Sequence, residues 1–489
     1  MREEKTLSSE FDDNRPDKPE EACGVFGIYA PGEDVSRLTY FGLHTLQHRG
    51  QESAGMAVSD GQSTIIYKDM GLLTQVFDER NLGTLQGDIA IGHVRYSTTG
   101  SSLWENAQPV YKTFSGGSVA LAHNGNLINM QELREDMRKE GIRFRSTSDS
   151  EVIASLVASR ADQGMGIEQA IKETMKMING AYSVLILTEQ TLYGMRDPYG
   201  IRPMVIGKRG EHYVVASESC ALDIVGAEYV RDVAPGELII IDQNGLRSEQ
   251  GAEPKKSSLC IFEFIYFARP DTKLLGRLLY SAREAMGIEL AKEAPCDADL
   301  VTGVPDSGVP AAIGYSQESG IPYREAFVKN RYIGRTFIQP TQTIRQVGIK
   351  LKLNPLSEVV KGKRVVVVDD SVVRGNTSQK LVAMLREAGA TEVHMRVSSP
   401  PVEWPCFYGI DTADQGQLVA AVNTNEAIRK FIGADSLSYL SLEGLVRATG
   451  NKREDFCLAC FDGNYPVDVP DDLKITKLML EEEQAKVDG

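Results

Sequence analysis

Four consecutive valines, Val365–Val368, constrain the fold of this chain more than any other feature of its sequence. An unbroken run of β-branched residues predicts a strand that is buried on both faces, as in the middle of a parallel sheet. Asp369 and Asp370 follow at the carboxyl end of this strand, where open α/β sheets bind their ligands. Two adjacent carboxylates repel a phosphate, so they suit the hydroxyls of a sugar or a bridging Mg²⁺ ion.

The segment after the two acids has the composition of a phosphate-binding loop. Its polar and small residues are Ser371, Arg374, Gly375, Asn376, Thr377 and Ser378. A helix is predicted to open here and to end at Gly389, and the N–H groups and hydroxyls at its N-terminus can cradle a phosphate. An ordinary strand, turn and helix with solvated acids is the alternative. The contiguity of the valine strand, the paired acids and the polar loop favours a ligand site.

The residues around this motif alternate between strands and helices. Strands are predicted at Leu300–Val304, Arg364–Val368 and Val393–Ser398, and the intervening helices end near Gly320 and Gly389. This alternation indicates a parallel sheet with right-handed crossovers.

The segment Arg364–Ser378 closely resembles the signature of type I phosphoribosyltransferases, which bind phosphoribosyl pyrophosphate (PRPP). The resemblance implies that Asp369 and Asp370 contact the ribose hydroxyls or Mg²⁺. It also implies that Arg374–Ser378 hold the 5-phosphate of PRPP. Ser307, in a loop after the strand at Leu300, is then expected near the Mg²⁺ ion on the pyrophosphate side.

A basic run stands out in this acidic chain, from Val328 to Pro340. Lys329, Arg331 and Arg335 in this run can meet an anionic substrate. A solvated basic loop is the alternative interpretation. The run also resembles the flexible closing loop of amidophosphoribosyltransferases, which implies that Lys329 and Arg331 bind PRPP.

The first half of the chain has a different pattern, which predicts short strands with helices between them. An Asp60-Gly61 pair joins two alternating segments and predicts a hairpin. Strands are also predicted at Gly24–Ala30, Ile89–His93, Ser118–His123, Tyr182–Thr188, His212–Ser217 and Glu237–Ile241, and helices at Val35–Gln47, Asn129–Lys139 and Asp149–Arg160. This mixture predicts antiparallel sheets layered between helices.

Cys23 stands at the first predicted strand, and by itself it is better explained as a buried thiol than as a nucleophile. Four further segments accompany it: Gln47–Gly55, Gly92–Thr98, His123–Asn126 and Ser146–Glu151. Together these segments resemble the glutamine amidotransferase domains of the N-terminal nucleophile hydrolases. The implied fold is an α/β/β/α sandwich, followed by the parallel-sheet phosphoribosyltransferase domain.

This resemblance implies a role for each of five residues. Cys23 is the nucleophile, and Asn124 with the N–H of Gly125 forms the oxyanion hole. Arg95 pairs with the α-carboxylate of glutamine and Asp149 with its α-ammonium group. A free α-amine on Cys23, with a pKa of about 8, can shuttle the thiol proton. A Cys–His pair is the alternative, since several histidines lie in these segments.

A free α-amine on Cys23 requires that residues 1–22 are removed. This segment holds eight acidic residues and two prolines and few apolar residues, so it is expected to be a disordered propeptide. In relatives the acidic leader often runs directly into the cysteine, whereas Ala22 intervenes here. The propeptide is expected to be followed by an amidotransferase domain at 23–255, a phosphoribosyltransferase domain at 256–470 and a tail at 471–489.

Four of the seven cysteines form a second group: Cys260, Cys406, Cys457 and Cys460. The Cys-x-x-Cys pair alone is compatible with zinc, an iron–sulfur cluster, a redox pair or burial, and spacing does not choose between them. One branch of the amidophosphoribosyltransferases carries a 4Fe–4S cluster on cysteines in these four contexts. The resemblance therefore implies one structural cluster per subunit, besides one Mg²⁺.

Composition excludes several other classes of protein. The net charge of −15 argues against broad nucleic-acid binding, and no apolar run approaches the ~20 residues of a membrane span. The polar start lacks a secretory signal, so the protein is expected to be cytoplasmic.

The two resemblances together imply a glycosyltransferase with glutaminase activity. It converts PRPP, glutamine and water to 5-phosphoribosylamine, glutamate and pyrophosphate, the first committed step of purine synthesis. The family also implies feedback by purine nucleotides and a homo-oligomer, a homotetramer. The alternatives are a PRPP-sensing regulator that has lost catalysis, or another amidotransferase of the glucosamine-6-phosphate synthase type.

Overall fold

The structure is a computed structural model that describes residues 23–96, 101–330, 353–410, 412 and 415–470. The predicted propeptide, the predicted tail and Arg331 lie outside the described residues. No helix within the described ranges is long and apolar enough to cross a membrane.

The first half of the chain forms two antiparallel sheets. Its strands are β1 (Gly24–Tyr29), β2 (Ser53–Ser59), β3 (Thr64–Met70), β4 (Ile89–Arg95), β5 (Val110–Phe114), β6 (Gly117–Leu127), β7 (Gly180–Leu187), β8 (Leu192–Arg196), β9 (Val205–Arg209), β10 (His212–Ala216), β11 (Glu228–Asp232), β12 (Glu237–Asp242) and β13 (Gly245–Gln250). One sheet has the order β11-β9-β10-β1-β4-β2-β3 and the other the order β13-β12-β8-β7-β6-β5.

Helices cover the outer faces of both sheets. They are α1 (Val35–Thr45), α2 (Leu73–Val76), α3 (Glu79–Thr84), α4 (Met130–Lys139), α5 (Asp149–Asp162), α6 (Ile167–Met177) and α7 (Cys220–Ile224), with a 3₁₀ turn at Trp104–Asn106. The inner faces pack on each other through apolar residues such as Val25, Ile91, Leu185 and Ile239. The result is the four-layer α/β/β/α sandwich that the sequence predicts.

The second half contains a parallel sheet. The strands described in this half are β14 (Leu259–Cys260), β15 (Lys273–Leu274), β16 (Arg277–Leu278), β17 (Leu300–Gly303), β18 (Phe327–Lys329), β19 (Leu353–Pro355), β20 (Arg364–Asp369), β21 (Glu392–Val397), β22 (Ser436–Tyr439) and β23 (Phe456–Cys457). The parallel sheet contains β17, β20, β21 and β22, and the other strands form the two-stranded pairs β14–β23, β15–β16 and β18–β19. The order β17-β20-β21-β22 is parallel throughout, and Val365–Val368 of β20 are fully buried, as predicted.

Helices again cover this sheet on both faces. They are α8 (Leu279–Glu293), α9 (Val309–Ser319), α10 (Ser357–Val360), α11 (Asn376–Glu387), α12 (Val419–Val422), α13 (Asn425–Ile432), α14 (Leu442–Thr449) and α15 (Ala459–Asp462). A π-helix lies at Glu263–Phe267, and 3₁₀ turns lie at Gln415–Gln417 and Arg453–Asp455.

The two halves share one apolar core. Ile128, Ala181 and Ile201 of the sandwich pack in the same cluster as Phe262 and Tyr408 of the second half. The contact brings the end of β6 against the region of the four cysteines, which determines how the sites described below lie relative to each other.

Candidate functional site

Cys23 directly precedes β1, a central strand of the seven-stranded sheet. Its side chain is buried, and Sγ lies 3.3 Å from the carbonyl oxygen of Tyr96. Burial raises the pKa of the thiol to about 12, although Arg95 opposes this effect. Since the thiol is protonated at neutral pH, it needs a base to become a nucleophile.

Arg95 and Asp149 are charged groups close to Cys23. Arg95 ends β4, the neighbour of β1, and Asp149 begins α5; both are buried. Asp149 Oδ2 accepts a hydrogen bond of 3.1 Å from the N–H of Leu127. Burial opposes ionisation of Asp149, but His123 and backbone N–H groups outweigh it and hold the pKa of this carboxyl below its usual value. A guanidinium and a carboxylate placed in this way complement the two charges of an amino acid.

Asn124 and Gly125 lie within β6. Asn124 is fully buried, and neither its Nδ2 nor its Oδ1 has a hydrogen-bond partner among the described residues. An unsatisfied buried amide costs roughly 1–3 kcal/mol, which makes it a candidate for binding a ligand. Gly125 has φ +150°, and a Cβ there would lie 2.0 Å from the carbonyl oxygen of Ala181. An amide donor next to a bare glycine suits an oxyanion hole.

The nearby histidines have other partners. His93 Nε2 lies 3.0 Å from the carbonyl oxygen of His123, and His123 Nδ1 lies 3.2 Å from Ser150 Oγ. His48 contacts Glu218. Within the described part of the chain no histidine hydrogen-bonds to Cys23, so the geometry does not support a Cys–His pair.

Two charged residues near Cys23 were missed by the sequence interpretation. Glu52 lies 3.7 Å from Arg95 Nη1, inside a motif whose residues received no individual roles. Arg202 is fully buried and lowers the pKa of Cys23, against the effect of burial. Its sequence context, Tyr199-Gly-Ile-Arg-Pro203, does not indicate that the arginine is buried, because a surface arginine can stand in the same context.

The predicted PRPP residues gather at the carboxyl end of β20. Asp369, Asp370 and Ser371 are buried, and Ser371 Oγ donates a 2.6 Å hydrogen bond to Asp370 Oδ1. Arg374, also buried, lies 3.1 Å from Gln417 Oε1. Gly375 has φ +87° and directly precedes α11, whose first turn is formed by Asn376, Thr377 and Ser378. The N–H groups of this turn therefore lie beside the acids, as a phosphate and sugar site requires.

The loop with Ser307 lies at the same edge of the sheet. The N–H of Val304 donates to the carbonyl oxygen of Val368 at 2.9 Å, and a Cβ on Gly308 would lie 2.4 Å from that oxygen. Lys329, at the end of β18, forms a 2.5 Å ion pair with Asp306 of this loop. The structure thus places the Ser307 loop at the end of β20 and Lys329 against this loop, whereas Arg331 falls outside the described residues.

The four cysteines of the second group converge from three segments. Cys260 in β14 pairs in register with Cys457 in β23. The N–H groups of Glu403 and Trp404, just before Cys406, donate to the carbonyl oxygen of Cys460 at 3.0 and 3.1 Å. Burial raises the pKa of each thiol, and for Cys457 and Cys460 the neighbouring cysteines raise it further.

A metal or cluster requires these thiols to act together. In the described ranges no three His, Cys, Asp or Glu side chains stand as a metal-binding group. The donor set itself, four free thiols in an apolar pocket with Phe262 and Phe461, has the composition that a tetrathiolate centre requires. The four thiols and the placement of their segments therefore fit such a centre. Among the described residues, their side chains do not meet at metal-ligand distances.

Comparison with known protein families matches both halves. A glutamine amidotransferase domain family matches residues 93–223, and a phosphoribosyl transferase domain family matches residues 278–399. Both matches agree with the predicted fold class.

Similarity to whole proteins extends over nearly the full chain. The amidophosphoribosyltransferase of Synechococcus elongatus is 56% identical, over 96% of this chain and 96% of its own length. A solved structure of the allosteric regulatory enzyme of purine biosynthesis has a TM-score of 0.89 at 48% identity, covering 94% of this chain and 99% of that one. The Bacillus subtilis glutamine PRPP amidotransferase in complex with ADP and GMP has a TM-score of 0.87 at 48% identity, with 93% and 99% covered. The chain belongs to the amidophosphoribosyltransferase family.

Proposed function

We propose that this protein transfers the amide nitrogen of glutamine to C1 of PRPP. Glutamine, water and PRPP give glutamate, 5-phosphoribosylamine and pyrophosphate, which is the first committed step of purine synthesis. One observation carries the proposal: the buried amide of Asn124, without a partner among the described residues, lies in the same half as Cys23. The second half joins a double acid to a phosphate-type helix N-terminus.

Cys23 releases ammonia from glutamine. After removal of residues 1–22, the free α-amine of Cys23 takes the thiol proton, and Sγ attacks the carboxamide carbon. Asn124 Nδ2 and the N–H of Gly125 stabilise the oxyanion of the tetrahedral intermediate. The proton passes to the leaving ammonia, and water then hydrolyses the thioester to glutamate. Arg95 and Asp149 hold the α-carboxylate and α-ammonium groups of the substrate.

The second half binds PRPP at the end of β20. Asp369 and Asp370 bind the ribose hydroxyls, while the residues Arg374, Gly375, Asn376, Thr377 and Ser378 hold the 5-phosphate. Ser371 orients Asp370 through its hydroxyl. Ammonia attacks C1 as pyrophosphate leaves.

Cationic groups balance the charge of the pyrophosphate. Asp369, Asp370 and Ser307 would hold one Mg²⁺ ion, which neutralises the leaving group when bound. Lys329 and Arg331 contribute positive charge on the same side. Lys329 exchanges its pairing with Asp306 for the anionic substrate.

Cys260, Cys406, Cys457 and Cys460 would hold a 4Fe–4S cluster in a structural role, because the reaction involves no redox step. Iron and acid-labile sulfide in anaerobically purified protein support this, and their loss in Cys457→Ser is expected. Bound zinc without sulfide would contradict it.

Regulation, assembly and location follow the family. Purine nucleotides act as feedback inhibitors, a role supported by the ADP and GMP in the Bacillus subtilis relative. The protein assembles as a homo-oligomer, a homotetramer, and works in the cytoplasm.

A paired assay tests the proposed reaction. Pyrophosphate release is measured with glutamine and, separately, with ammonia, on protein whose N-terminus has been sequenced. Cys23→Ala should lose the glutamine-dependent reaction and keep the ammonia-dependent one. A catalytically silent PRPP sensor would be inactive with both nitrogen donors. Full-length chain in a glutamine-active preparation would contradict removal of residues 1–22.

A further inference from the structure

A short segment of the second half, Phe407–Gly409, lies directly against the oxyanion strand β6. Asn126 Nδ2, two residues after Asn124, donates a 3.0 Å hydrogen bond to the carbonyl oxygen of Phe407. Asn126 is buried, so the donor end of this partly buried bond is shielded from water. The contact joins residues 281 positions apart in sequence and crosses from one half of the chain to the other.

Arg202 holds the same segment from a second direction. Its guanidinium is fully buried, and Nε and Nη2 donate to the carbonyl oxygen of Tyr408 at 3.1 and 2.7 Å. Nη1 lies 3.6 Å from Glu263 Oε1, which supplies a counter-charge. A forked donor on one carbonyl oxygen fixes the segment in both position and orientation.

Gly409 completes the contact with Gly125. Its φ of +101° favours glycine, and a Cβ there would lie 3.3 Å from the carbonyl carbon and oxygen of Gly125 and 3.1 Å from Arg202 Nη2. The backbone of the second half therefore packs closely on the peptide that follows the proposed oxyanion donor, and a side chain at Gly409 would fit only if these neighbours shifted.

The segment itself is anchored at its other side. Tyr408 Oη donates a 2.8 Å hydrogen bond to the carbonyl oxygen of Val467, and it accepts one of 3.1 Å from the N–H of the same residue. The ring of Phe407 packs at 5.2 Å from that of Tyr465. A rigid support on one side and β6 on the other leave Gly125 and Asn126 little freedom.

We propose that Phe407–Gly409 positions the oxyanion hole, and that Asn126 and Arg202 are the positioning residues through which it acts. The glutaminase site is then complete only when the second half is docked on the first. The inference rests on the proposed function, because it concerns the oxyanion donors Asn124 and Gly125. It assigns no chemical step to Asn126 or Arg202.

Kinetics of Asn126→Ala and Gly409→Ala test the inference in the anaerobically purified two-domain enzyme from which residues 1–22 have been removed. A displaced oxyanion donor weakens binding of the tetrahedral intermediate more than binding of glutamine. We expect kcat for glutamine hydrolysis to fall about 10–100-fold with little change in KM. Ammonia-dependent pyrophosphate release should stay at the wild-type rate.

A second readout uses the γ-aldehyde analogue of glutamine. This aldehyde adds to the Cys23 thiol to form a tetrahedral hemithioacetal, whose oxygen occupies the oxyanion hole. Its inhibition constant should rise by the same factor by which kcat falls. Arg202→Lys keeps the charge beside Glu263 and loses the forked donation, so it should show a smaller change of the same kind.

Asn129→Ala is the matched control. Asn129 Nδ2 also donates to a backbone carbonyl, that of Met177 at 2.9 Å, but within the first half. The Asn129→Ala variant should keep the wild-type kcat for glutamine hydrolysis and the wild-type inhibition constant of the aldehyde. Unchanged kcat in the folded test variants, a rise in KM alone, unaltered aldehyde inhibition or an equal loss of the ammonia reaction would overturn the inference. A wild-type enzyme without glutamine activity would contradict the proposed function instead.

Discussion

Asn124 shows how a single residue can combine core burial with the chemistry of a binding group. Its amide is fully enclosed and has no partner among the described residues, although buried amides normally have at least one. The pairing of β6 with β7 offsets the free energy that an unsatisfied buried amide costs. A group held ready in this way needs little reorganisation when an oxyanion forms.

Asn124→Ala should therefore separate catalysis from binding. We expect kcat for glutamine hydrolysis to fall about 10²–10³-fold, with KM for glutamine nearly unchanged, because the lost hydrogen bond forms mainly in the transition state. Steady-state glutamate production measures both constants. Ammonia-dependent pyrophosphate release is the internal control, and an equal loss there would show that the substitution damages the fold.

His93 makes the stability of the first half depend on pH. Burial lowers the pKa of its ring to about 3 from an ordinary value of 6.5. Between these values the unfolded chain binds a proton that the folded chain does not, so stability falls as the pH falls below 6.5. The expected slope is about 1.4 kcal/mol per pH unit for this one proton.

Urea unfolding at pH 7.5, 6.5 and 5.5 measures this slope in the wild type and in His93→Gln. The variant should lose less stability between pH 6.5 and 5.5 than the wild type. His44→Gln is the control, because His44 is exposed. Its substitution should leave the change of unfolding free energy with pH as it is in the wild type. Parallel curves for the wild type and His93→Gln would refute the assignment.

At the scale of elements, the ends of two strands determine the chemistry. β6 continues four residues past the predicted end at His123, so Asn124 and Gly125 lie in regular pairing with β7 rather than in a loop. After β20 the chain instead enters a loop, and its direction turns at Gly375 before α11 begins. One site is thus built within a sheet and the other at its edge.

Gly375→Ala should weaken PRPP binding specifically. At φ +87° an alanine costs about 1–2 kcal/mol, and relief of this strain would displace the first turn of α11. We expect KM for PRPP to rise about tenfold with either nitrogen donor, while glutaminase turnover without PRPP stays at the wild-type value. Gly362→Ala, at φ +74° in a turn before β20, is the matched control for strain alone. An equal rise in KM in both variants would contradict a role in phosphate binding.

At the scale of the whole molecule, buried charges join the two halves. Arg49 of the sandwich is fully buried and pairs with Glu218 and with Glu263 of the second half. Arg202 lies 3.6 Å from the same Glu263. Burial opposes ionisation of Glu218, but Arg49 and His48 outweigh it and hold the pKa of this carboxyl well below its usual value. This carboxylate therefore stabilises the folded state above its ordinary pKa of 4.5, and the contribution is lost as the pH falls toward the folded value.

Arg49→Met should destabilise the junction by about 3–5 kcal/mol at pH 7.5, because it leaves buried carboxylates without their main cation. The loss should shrink toward pH 5, because in the variant Glu218 lacks the cation that holds its pKa down and can take up a proton. Urea unfolding at both pH values measures it. Arg37→Met is the control, since Arg37 also pairs with two carboxylates but its side chain is 40% exposed, and little change is expected there. Equal effects of the two substitutions would contradict a special role for burial.

The sequence alone predicted the central strands of both halves, such as β1, β4, β7 and β20, and the order of the two domains. The valine run could only be a buried strand, and its acids and polar loop could only lie at the carboxyl edge, because strand direction and loop position follow from local pattern. The cysteine, asparagine and arginine of the glutaminase half were predicted from motif resemblance. Their burial was not predicted, because it depends on packing between distant segments.

Only the tertiary structure decided what surrounds these residues. The partners of Arg49 and Arg202 and the contact of Gly409 with Gly125 all join positions far apart in the chain. A buried arginine and a solvated one are the same letter in a sequence. Whether an arginine is buried depends on the packing of the two halves around one core. A buried charge then needs a specific partner, because it has lost its hydration.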